Sequence, residues 1–188
     1  MRGGVSVFDT MTGDDLIMAF FPCIYFTGWT NPLYFTLECI NYRGLTTKEK
    51  FEKMLERADN RNHFFKLILK MTAICVLRGL RIVIENPAGG MHYLEHNYLK
   101  APDFVDKDRT LRGDYMKKPT QYWFFNCKPT HGESFQRPEK TRIITKLEGN
   151  TAGLCSEERS MISPDYARNF ICDQIIGKQQ RNSQLMLF

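Results

Sequence analysis

Two short apolar stretches determine the chain topology: residues 14–23, DDLIMAFFPC, and residues 80–87, LRIVIENP. In the first, two acidic residues lead into an apolar run that Pro22 ends, which predicts a short buried strand over residues 14–20. In the second, the β-branched run at residues 80–84 predicts another strand. A helical pattern separates the two strands, and a crossover of that length suits parallel strands of an α/β sheet.

The segment between these strands predicts a long helix with a clear start and end. Thr46 and Glu49 are three residues apart and match a capping box. Apolar residues follow at helical spacing over residues 51–77, although the polar residues 60–62, NRN, predict a weak point or an interruption. Gly79 is expected to end the helix.

The rest of the chain predicts fewer regular elements. Residues 88–120 are expected to be mostly loop, and residues 121–125, QYWFF, to form a third strand. A last helix is expected to start at Ser163 as its N-cap, with Pro164 in the first turn, and to end at Gly177.

Length and composition predict one folded domain at residues 1–177 and a C-terminal tail at residues 178–188. The chain has 188 residues, of which 43% are hydrophobic, enough to bury a core. No apolar run reaches the ~18 residues of a transmembrane helix, so no membrane partner is expected. Residues 1–5, MRGGV, lack an apolar signal core. Cys75 and Cys172 lie in apolar helical stretches, which is typical of reduced, buried cysteines and favours a cytoplasmic protein.

Both predicted strands are followed by side chains that could carry chemistry. In such sheets, ligands bind beyond the carboxyl ends of the strands. Cys23 follows the first strand and, once ionised, is a nucleophile toward electron-poor carbon. Glu85 ends the second strand and could hold the amide-like edge of a substrate or exchange a proton with it. The alternatives are a buried loop cysteine and an acid that caps a nearby loop.

These residues resemble a known family, the DNA cytosine-5 methyltransferases, and are most similar to its short phage and prophage variety. The resemblance runs from about residue 14 to residue 177 and rests on the order and spacing of four short motifs. The motifs are residues 15–23, DLIMAFFPC; residues 82–87, IVIENP; residues 117–124, KKPTQYWF; and residues 158–167, ERSMISPDYA. In that family a Pro-Cys dipeptide carries the nucleophile, and a Glu-Asn dipeptide ends the next motif strand.

The resemblance implies methyl transfer from S-adenosylmethionine to carbon 5 of cytosine in DNA. Cys23 would add to carbon 6 of the ring, and Glu85 would hydrogen-bond the ring nitrogen and the exocyclic amine. The substrate-binding residues would be Pro22, Asn86 and Pro87, and no metal is implied.

A DNA substrate also implies that the target base leaves the duplex stack. The net charge of +5 permits a nucleic-acid partner without requiring one. Candidate DNA contacts are the aromatic loop at residues 25–35 and the basic residues Lys117 and Lys118. Arg112 and Arg142 are candidate substitutes for the basic motif with which the family reads its target base.

One part of the family pattern is missing from this sequence. The family begins with a strand, a Gly-rich turn and a helix that hold the cofactor, and residues 1–13 cannot supply them. We therefore expect a Rossmann-like methyltransferase fold of the α/β class that lacks the N-terminal cofactor-binding βαβ unit. Ser160 would lie near the cofactor, and a complementary N-terminal half is expected as a partner.

Other functions compete with this interpretation. An amino-methyltransferase would need a polar residue before the proline, and residues 20–23, FFPC, have none. A cysteine hydrolase would need a histidine near Cys23. His92 and His96 follow the second strand, but the Gly-rich segment around them predicts surface positions.

Two further alternatives concern metal binding and the loss of catalysis. Cys127 and His131 have no second ligand pair at matching spacing, so no zinc site is predicted. The non-enzyme alternative is a DNA-binding remnant or a partner subunit of a split methyltransferase, which would keep the fold and the basic surplus without needing the thiolate.

Overall fold

The computed structural model describes residues 6–27, 35–89, 91–141, 158 and 160–177. The regular elements along these residues are α1 (Val7–Thr10), β1 (Leu16–Phe20), α2 (Thr47–Leu77), β2 (Arg81–Pro87), α3 (Tyr93–Asn97), β3 (Phe104–Asp106), β4 (Thr120–Phe125) and α4 (Pro164–Phe170). The predicted tail at residues 178–188, Arg142 and part of the aromatic loop, residues 28–34, lie outside the described residues.

Strands β1 and β2 are adjacent and parallel, and helix α2 connects them. The register places Leu16 opposite Arg81 and Phe20 opposite Glu85. The strands form one mixed four-stranded sheet in the order β1-β2-β4-β3. The α/β class, the two parallel strands and the third strand near residues 121–125 are therefore confirmed.

Helix α2 begins and ends where the sequence predicts. The Thr46 N–H donates to the Glu49 carboxylate at 2.7 Å, and the Glu49 N–H donates to the Thr46 hydroxyl at 3.3 Å. Gly79, with a φ of +69°, follows the C-cap residue Arg78. A left-handed φ carries little penalty for glycine, which explains its use at this position.

The predicted interruption at residues 60–62 is wrong, because α2 runs unbroken over 31 residues. Asparagine costs less than about 0.7 kcal/mol relative to alanine in a helix, so tertiary contacts readily override it. Here the Arg61 guanidinium lies 4.8 Å from the ring centres of both Phe35 and Tyr93. Packing on these rings holds the polar segment in the helix.

Packing divides the described chain into two units. The first consists of the described residues up to Pro102 together with Tyr122–Cys127, and the second consists of Asp103–Gln121 together with the described residues from Lys128 on. The described residues of both units fall within the predicted domain at residues 1–177.

Apolar side chains from β1, β2 and α2 form the core of the first unit. Its buried members are Ala19, Phe26, Ile68, Cys75, Leu80, Ile82, Ile84, Leu94 and Trp123. Because β-strand side chains alternate, Ala19, Ile82 and Ile84 share the face of the sheet that packs on this core. The side chain of Asn126 donates to the Cys75 and Leu80 carbonyls, at 3.0 and 2.9 Å, and so satisfies a carbonyl at the end of α2.

Residues 88–120 contain more regular structure than the sequence predicts. They include helix α3, strand β3 and a 3₁₀ turn at Arg109–Leu111. These elements are three to five residues long, too short for a hydrophobic period to be recognised, which is why the segment was expected to be loop.

Charged side chains lie in the interior of the second unit, where they pair with one another and with Tyr166. Arg109 and Asp114 are fully buried, and the Arg109 Nε donates to an Asp114 carboxylate oxygen at 2.6 Å. The Arg109 guanidinium also stacks over the Tyr166 ring at 4.5 Å. The Tyr166 hydroxyl donates in turn to Asp106 at 3.1 Å.

Arg112, a candidate for reading the target base, is engaged inside the same unit. Its guanidinium lies 2.9 Å from the Asp106 carboxylate and 5.7 Å from the centre of the Phe104 ring. Its side chain is largely buried. The structure therefore assigns Arg112 an internal ion pair, and the guanidinium is not presented as a DNA contact.

The last helix has the predicted start. The Ser163 hydroxyl accepts from the Tyr166 N–H at 3.1 Å and donates to the Gly113 carbonyl at 2.8 Å. After Phe170 the helix continues as a π-helical segment, Ile171–Ile176, and Gly177 ends it with a φ of +84°. The predicted end at Gly177 is confirmed, whereas the change of helix type was not predicted.

No helix in the described part of the chain is both long enough and apolar enough to cross a bilayer.

Removing the charge of Asp114 tests the role of the buried pair. In Asp114→Asn the Arg109 guanidinium loses its carboxylate partner inside the protein, so we expect the free energy of unfolding to fall by about 3–5 kcal/mol. Urea denaturation measures it. Lys117→Ala, which removes an exposed pair with Asp108 at 3.8 Å, should cost less than about 1 kcal/mol. Equal stabilities of the two variants would contradict the prediction.

Candidate active site

The candidate site lies where β1 and β2 end side by side. Phe20, the last residue of β1, pairs in register with Glu85 of β2. Because the strands are parallel, both carboxyl ends lie at the same edge of the sheet, where α/β folds bind ligands. Phe21–Cys23 therefore leaves the sheet beside Asn86 and Pro87, the last two residues of β2.

Cys23 begins a tight 3₁₀ turn, Cys23–Tyr25, directly after Pro22. The proline has a φ of −56° and serves as the N-cap residue. The Cys23 carbonyl accepts from the Phe26 and Thr27 N–H groups at 2.9 and 3.1 Å. The cysteine is partly buried and Pro22 is exposed. The backbone at Cys23 is thus fixed by the proline on one side and by two hydrogen bonds on the other.

Asn86 links the end of β2 to this turn. Its side chain is fully buried, and Nδ2 donates to the Phe21 carbonyl at 3.3 Å. Its other atom, Oδ1, lies 3.0 Å from Nε2 of His92. Because Nδ2 is the donor toward Phe21, Oδ1 is the acceptor, and His92 must therefore carry its proton on Nε2.

His92 is buried, with 1% of its surface exposed, directly before helix α3. Burial, together with the smaller effect of the charge on His96, lowers the pKa of His92 to about 4. The ring is therefore neutral at physiological pH. Its Nδ1 has no hydrogen-bond partner among the residues that the structure describes.

The predicted surface position of His92 is wrong, whereas His96 is exposed as expected. The prediction depended on treating the segment after β2 as loop, but α3 starts at Tyr93 and its N-cap residue, His92, packs against Asn86. No local pattern marks this histidine, because the contact that buries it comes from the end of β2.

Glu85 lies on the opposite face of β2 from Asn86, because successive strand residues alternate. It is 8% exposed, and its register partner Phe20, on the same face, is 53% exposed. Phe20 precedes Cys23 by three residues. The structure thus brings a thiol, a buried carboxyl group and an orienting amide to one end of a single strand pair.

The other predicted site residues fall in different places. Pro87 is the last residue of β2 and is partly buried. Ser160 is exposed and belongs to the second unit. Lys117 forms an exposed ion pair with Asp108. These positions do not test the predicted roles. That Ser160 lies near the cofactor and that Lys117 contacts DNA remain predictions.

The described part of the aromatic loop packs on the first unit. Phe26 is buried in its core, and Tyr25 stacks on Phe64 of α2 with ring centres 5.1 Å apart. The Phe26 carbonyl accepts from the Tyr93 N–H at 2.8 Å. The residues after Cys23 therefore connect its turn to both α2 and α3.

The chain matches no protein-family model, no curated protein sequence and no solved structure. The argument for function therefore rests on the chemistry of the site, since a fold alone does not specify an activity.

The depressed pKa of His92 predicts that acid destabilises the protein. An unfolded histidine takes up a proton near pH 6.5, whereas folded His92 does so only near pH 4. The unfolded chain binds more protons between these values, so stability falls as the pH drops through that window, by up to about 3 kcal/mol.

His92→Gln is the matched variant, because glutamine can still donate to Asn86 but does not titrate. We expect its free energy of unfolding, from urea denaturation at pH 7.5 and pH 5, to depend less on pH than that of the wild type. The same pH dependence in both proteins would contradict the prediction.

Proposed function

We propose that this chain is the catalytic half of an S-adenosylmethionine-dependent methyltransferase that acts on carbon 5 of cytosine in DNA. The observation that supports this most strongly is the arrangement at the ends of β1 and β2. There the Cys23 turn lies beside the strand end that carries Glu85, and the Asn86 side chain joins the two through the Phe21 carbonyl.

The proposed chemistry begins with the Cys23 thiolate. Its sulfur bonds to carbon 6 of the cytosine ring. The electron pair of the carbon 5–carbon 6 double bond then forms a double bond between carbons 4 and 5, and the pair of the carbon 4–nitrogen 3 double bond moves onto nitrogen 3. Ring nitrogen 3 takes a proton from Glu85, which neutralises the charge that the thiolate brings. The resulting enamine is nucleophilic at carbon 5, where S-adenosylmethionine would supply an electrophilic methyl group.

Asn86 and His92 have a positioning role in this proposal. The donor–acceptor chain from His92 through Asn86 to the Phe21 carbonyl sets the direction in which the backbone enters the Cys23 turn. A thiolate attack requires near-contact geometry, so a small displacement of this turn would slow the reaction.

The described residues do not form a site for S-adenosylmethionine by themselves. A Rossmann-type nucleoside site needs a strand, a Gly-rich turn at a helix N-terminus and an acid for the ribose. Before β1 the described chain contains only the four-residue helix α1, and Ser160 is exposed. We propose that a complementary N-terminal half, the partner that the resemblance implies, binds the cofactor, and the attack of Cys23 does not depend on it.

The sheet order is compatible with this assignment. In a doubly wound Rossmann sheet with the order 3-2-1-4-5-6, strands 4 and 5 are adjacent and parallel, and strand 4 also borders strand 1. β1 and β2 are adjacent and parallel, and β1 is at an edge of the described sheet. We propose a Rossmann-like fold in which β1 pairs with the first strand of the complementary half.

Exchange of the carbon 5 hydrogen tests the nucleophile without the cofactor. After sulfur adds to carbon 6, carbon 5 can take a deuteron from D₂O and lose its original proton, and the sulfur then leaves. An oligonucleotide cytosine incubated with the wild-type protein in D₂O should therefore acquire deuterium at carbon 5, as followed by NMR. Cys23→Ala should abolish this exchange.

Cys127→Ala is the matched control, because Cys127 is another partly buried cysteine of the first unit. It should exchange at the wild-type rate. DNA binding by the wild type without any exchange would overturn the enzyme proposal. That result would favour the alternative, a non-catalytic DNA-binding partner subunit of a split methyltransferase.

Glu85→Gln tests the proposed proton donor separately. Glutamine retains the shape and one hydrogen-bonding edge of glutamate but cannot deliver a proton to ring nitrogen 3. We expect the exchange rate to fall by about 10²- to 10⁴-fold, while affinity for the oligonucleotide is unchanged. An unchanged exchange rate would show that Glu85 takes no part in the proton transfer.

A further inference from the structure

One face of helix α2 is buried in its C-terminal half and basic in its N-terminal half. Its buried residues in the C-terminal half are Ile68, Thr72 and Cys75. Its residues at the equivalent angular positions in the N-terminal half are Lys50, Lys53, Arg57 and Arg61. Because residues three, four, seven and eleven apart lie on one side of a helix, the basic stripe faces the same way as the core.

The basic stripe faces the chain that follows the Cys23 turn. The Arg57 guanidinium lies 5.4 Å from the centre of the Tyr25 ring, and the Lys50 ammonium donates to the Leu37 carbonyl at 3.0 Å. Tyr25 belongs to the same 3₁₀ turn as Cys23. The stripe therefore contacts the turn that begins with Cys23, through Tyr25.

A cleft of about 400 Å³ lies between the stripe and this segment. Its lining includes Tyr25, Asn41 and Tyr42 on one side and Lys53, Glu56 and Arg57 of α2 on the other. The volume is far larger than a single ion needs and lies within the range of small-molecule sites. With Asn60 of α2, the lining combines two cations, one carboxylate, two aromatic side chains and two amides.

This combination fits a nucleotide of a nucleic-acid strand. Cationic side chains neutralise backbone phosphates, and amides and hydroxyls hydrogen-bond to phosphates and base edges. The Tyr25 ring already contacts Phe64 and Arg57, so it borders the cleft and is not offered as a stacking surface. Tyr25 is two residues from Cys23, which spans at most about 7 Å of chain.

We propose that the cleft binds a nucleotide adjacent to the target cytosine on the same DNA strand. Lys53 contacts the phosphate of that nucleotide, and the Tyr25 side of the cleft, held by Arg57, contacts its base. The assignment rests on the proposed function, because it takes Cys23 to mark the position of the target base. It adds a second contact that orients the strand toward the nucleophile.

Lys53→Gln tests the phosphate contact, because Lys53 is exposed and its replacement is compatible with folding. Binding of the full chain to a cytosine-containing single-stranded oligonucleotide is measured by fluorescence anisotropy over a range of salt concentrations. Loss of one phosphate contact should reduce the slope of log K against log salt by about 0.7. Affinity should fall roughly tenfold at 0.05 M salt and about twofold at 0.3 M.

Lys66→Gln is the matched control, because Lys66 is also exposed on α2 but lies about 220° around the helix from Lys53. It should leave both affinity and salt slope unchanged. Equal effects of the two substitutions would indicate non-specific attraction and overturn the proposal. Lys53-dependent binding of inorganic phosphate, with no difference in oligonucleotide affinity, would also overturn it.

The two proposals can fail separately. Carbon 5 exchange that requires Cys23, together with unchanged DNA binding by Lys53→Gln, would leave the methyltransferase proposal intact and reject the nucleotide cleft. A Lys53-specific loss of DNA binding in a protein that shows no exchange would support the cleft and reject the enzyme.

Discussion

The Asn86 side chain connects the parts of the candidate site. Its amide donates to the Phe21 carbonyl, and its oxygen accepts from His92. Because leaving a buried polar group unpaired costs about 1–3 kcal/mol, the three groups strongly favour this one arrangement. The arrangement fixes where the chain leaves β1 and therefore where the Cys23 turn begins. These hydrogen bonds therefore fix three features relative to one another: the end of β2, the turn that follows Pro22, and His92, the N-cap residue of α3.

Different kinds of interaction hold the interiors of the two units. The first depends on an apolar core in which β-branched strand residues pack on α2, and such burial contributes most of the net stability of a fold. The second contains the buried Arg109–Asp114 pair and the Asp106 contacts of Tyr166 and Arg112. Buried ion pairs repay much of their desolvation cost only when their geometry is nearly ideal, so they specify one arrangement more than they stabilise it.

Helix α2 serves the first unit in two ways. Its C-terminal half buries Ile68, Thr72 and Cys75 beneath the sheet, while the same face of its N-terminal half carries basic residues toward the chain after Cys23. Because basic residues occupy this face in the N-terminal half, Phe51 and Leu55, which also follow the helical spacing, are exposed. The Arg61 contacts with Phe35 and Tyr93 hold the segment where the two halves meet.

The amino-acid sequence by itself determined the elements whose signals are local. The capping pair Thr46 and Glu49, the β-branched run before Glu85 and the Ser163 cap each act within a few residues. Strands β1, β2 and β4, both ends of α2, the start of α4 and the parallel crossover were therefore predictable. Tertiary structure alone decided the burial of His92, the continuity of α2 through residues 60–62 and the internal ion pair of Arg112. Each of these depends on a contact with a residue outside its own helix or turn, because burial and charge pairing are properties of the packed chain and leave no local pattern.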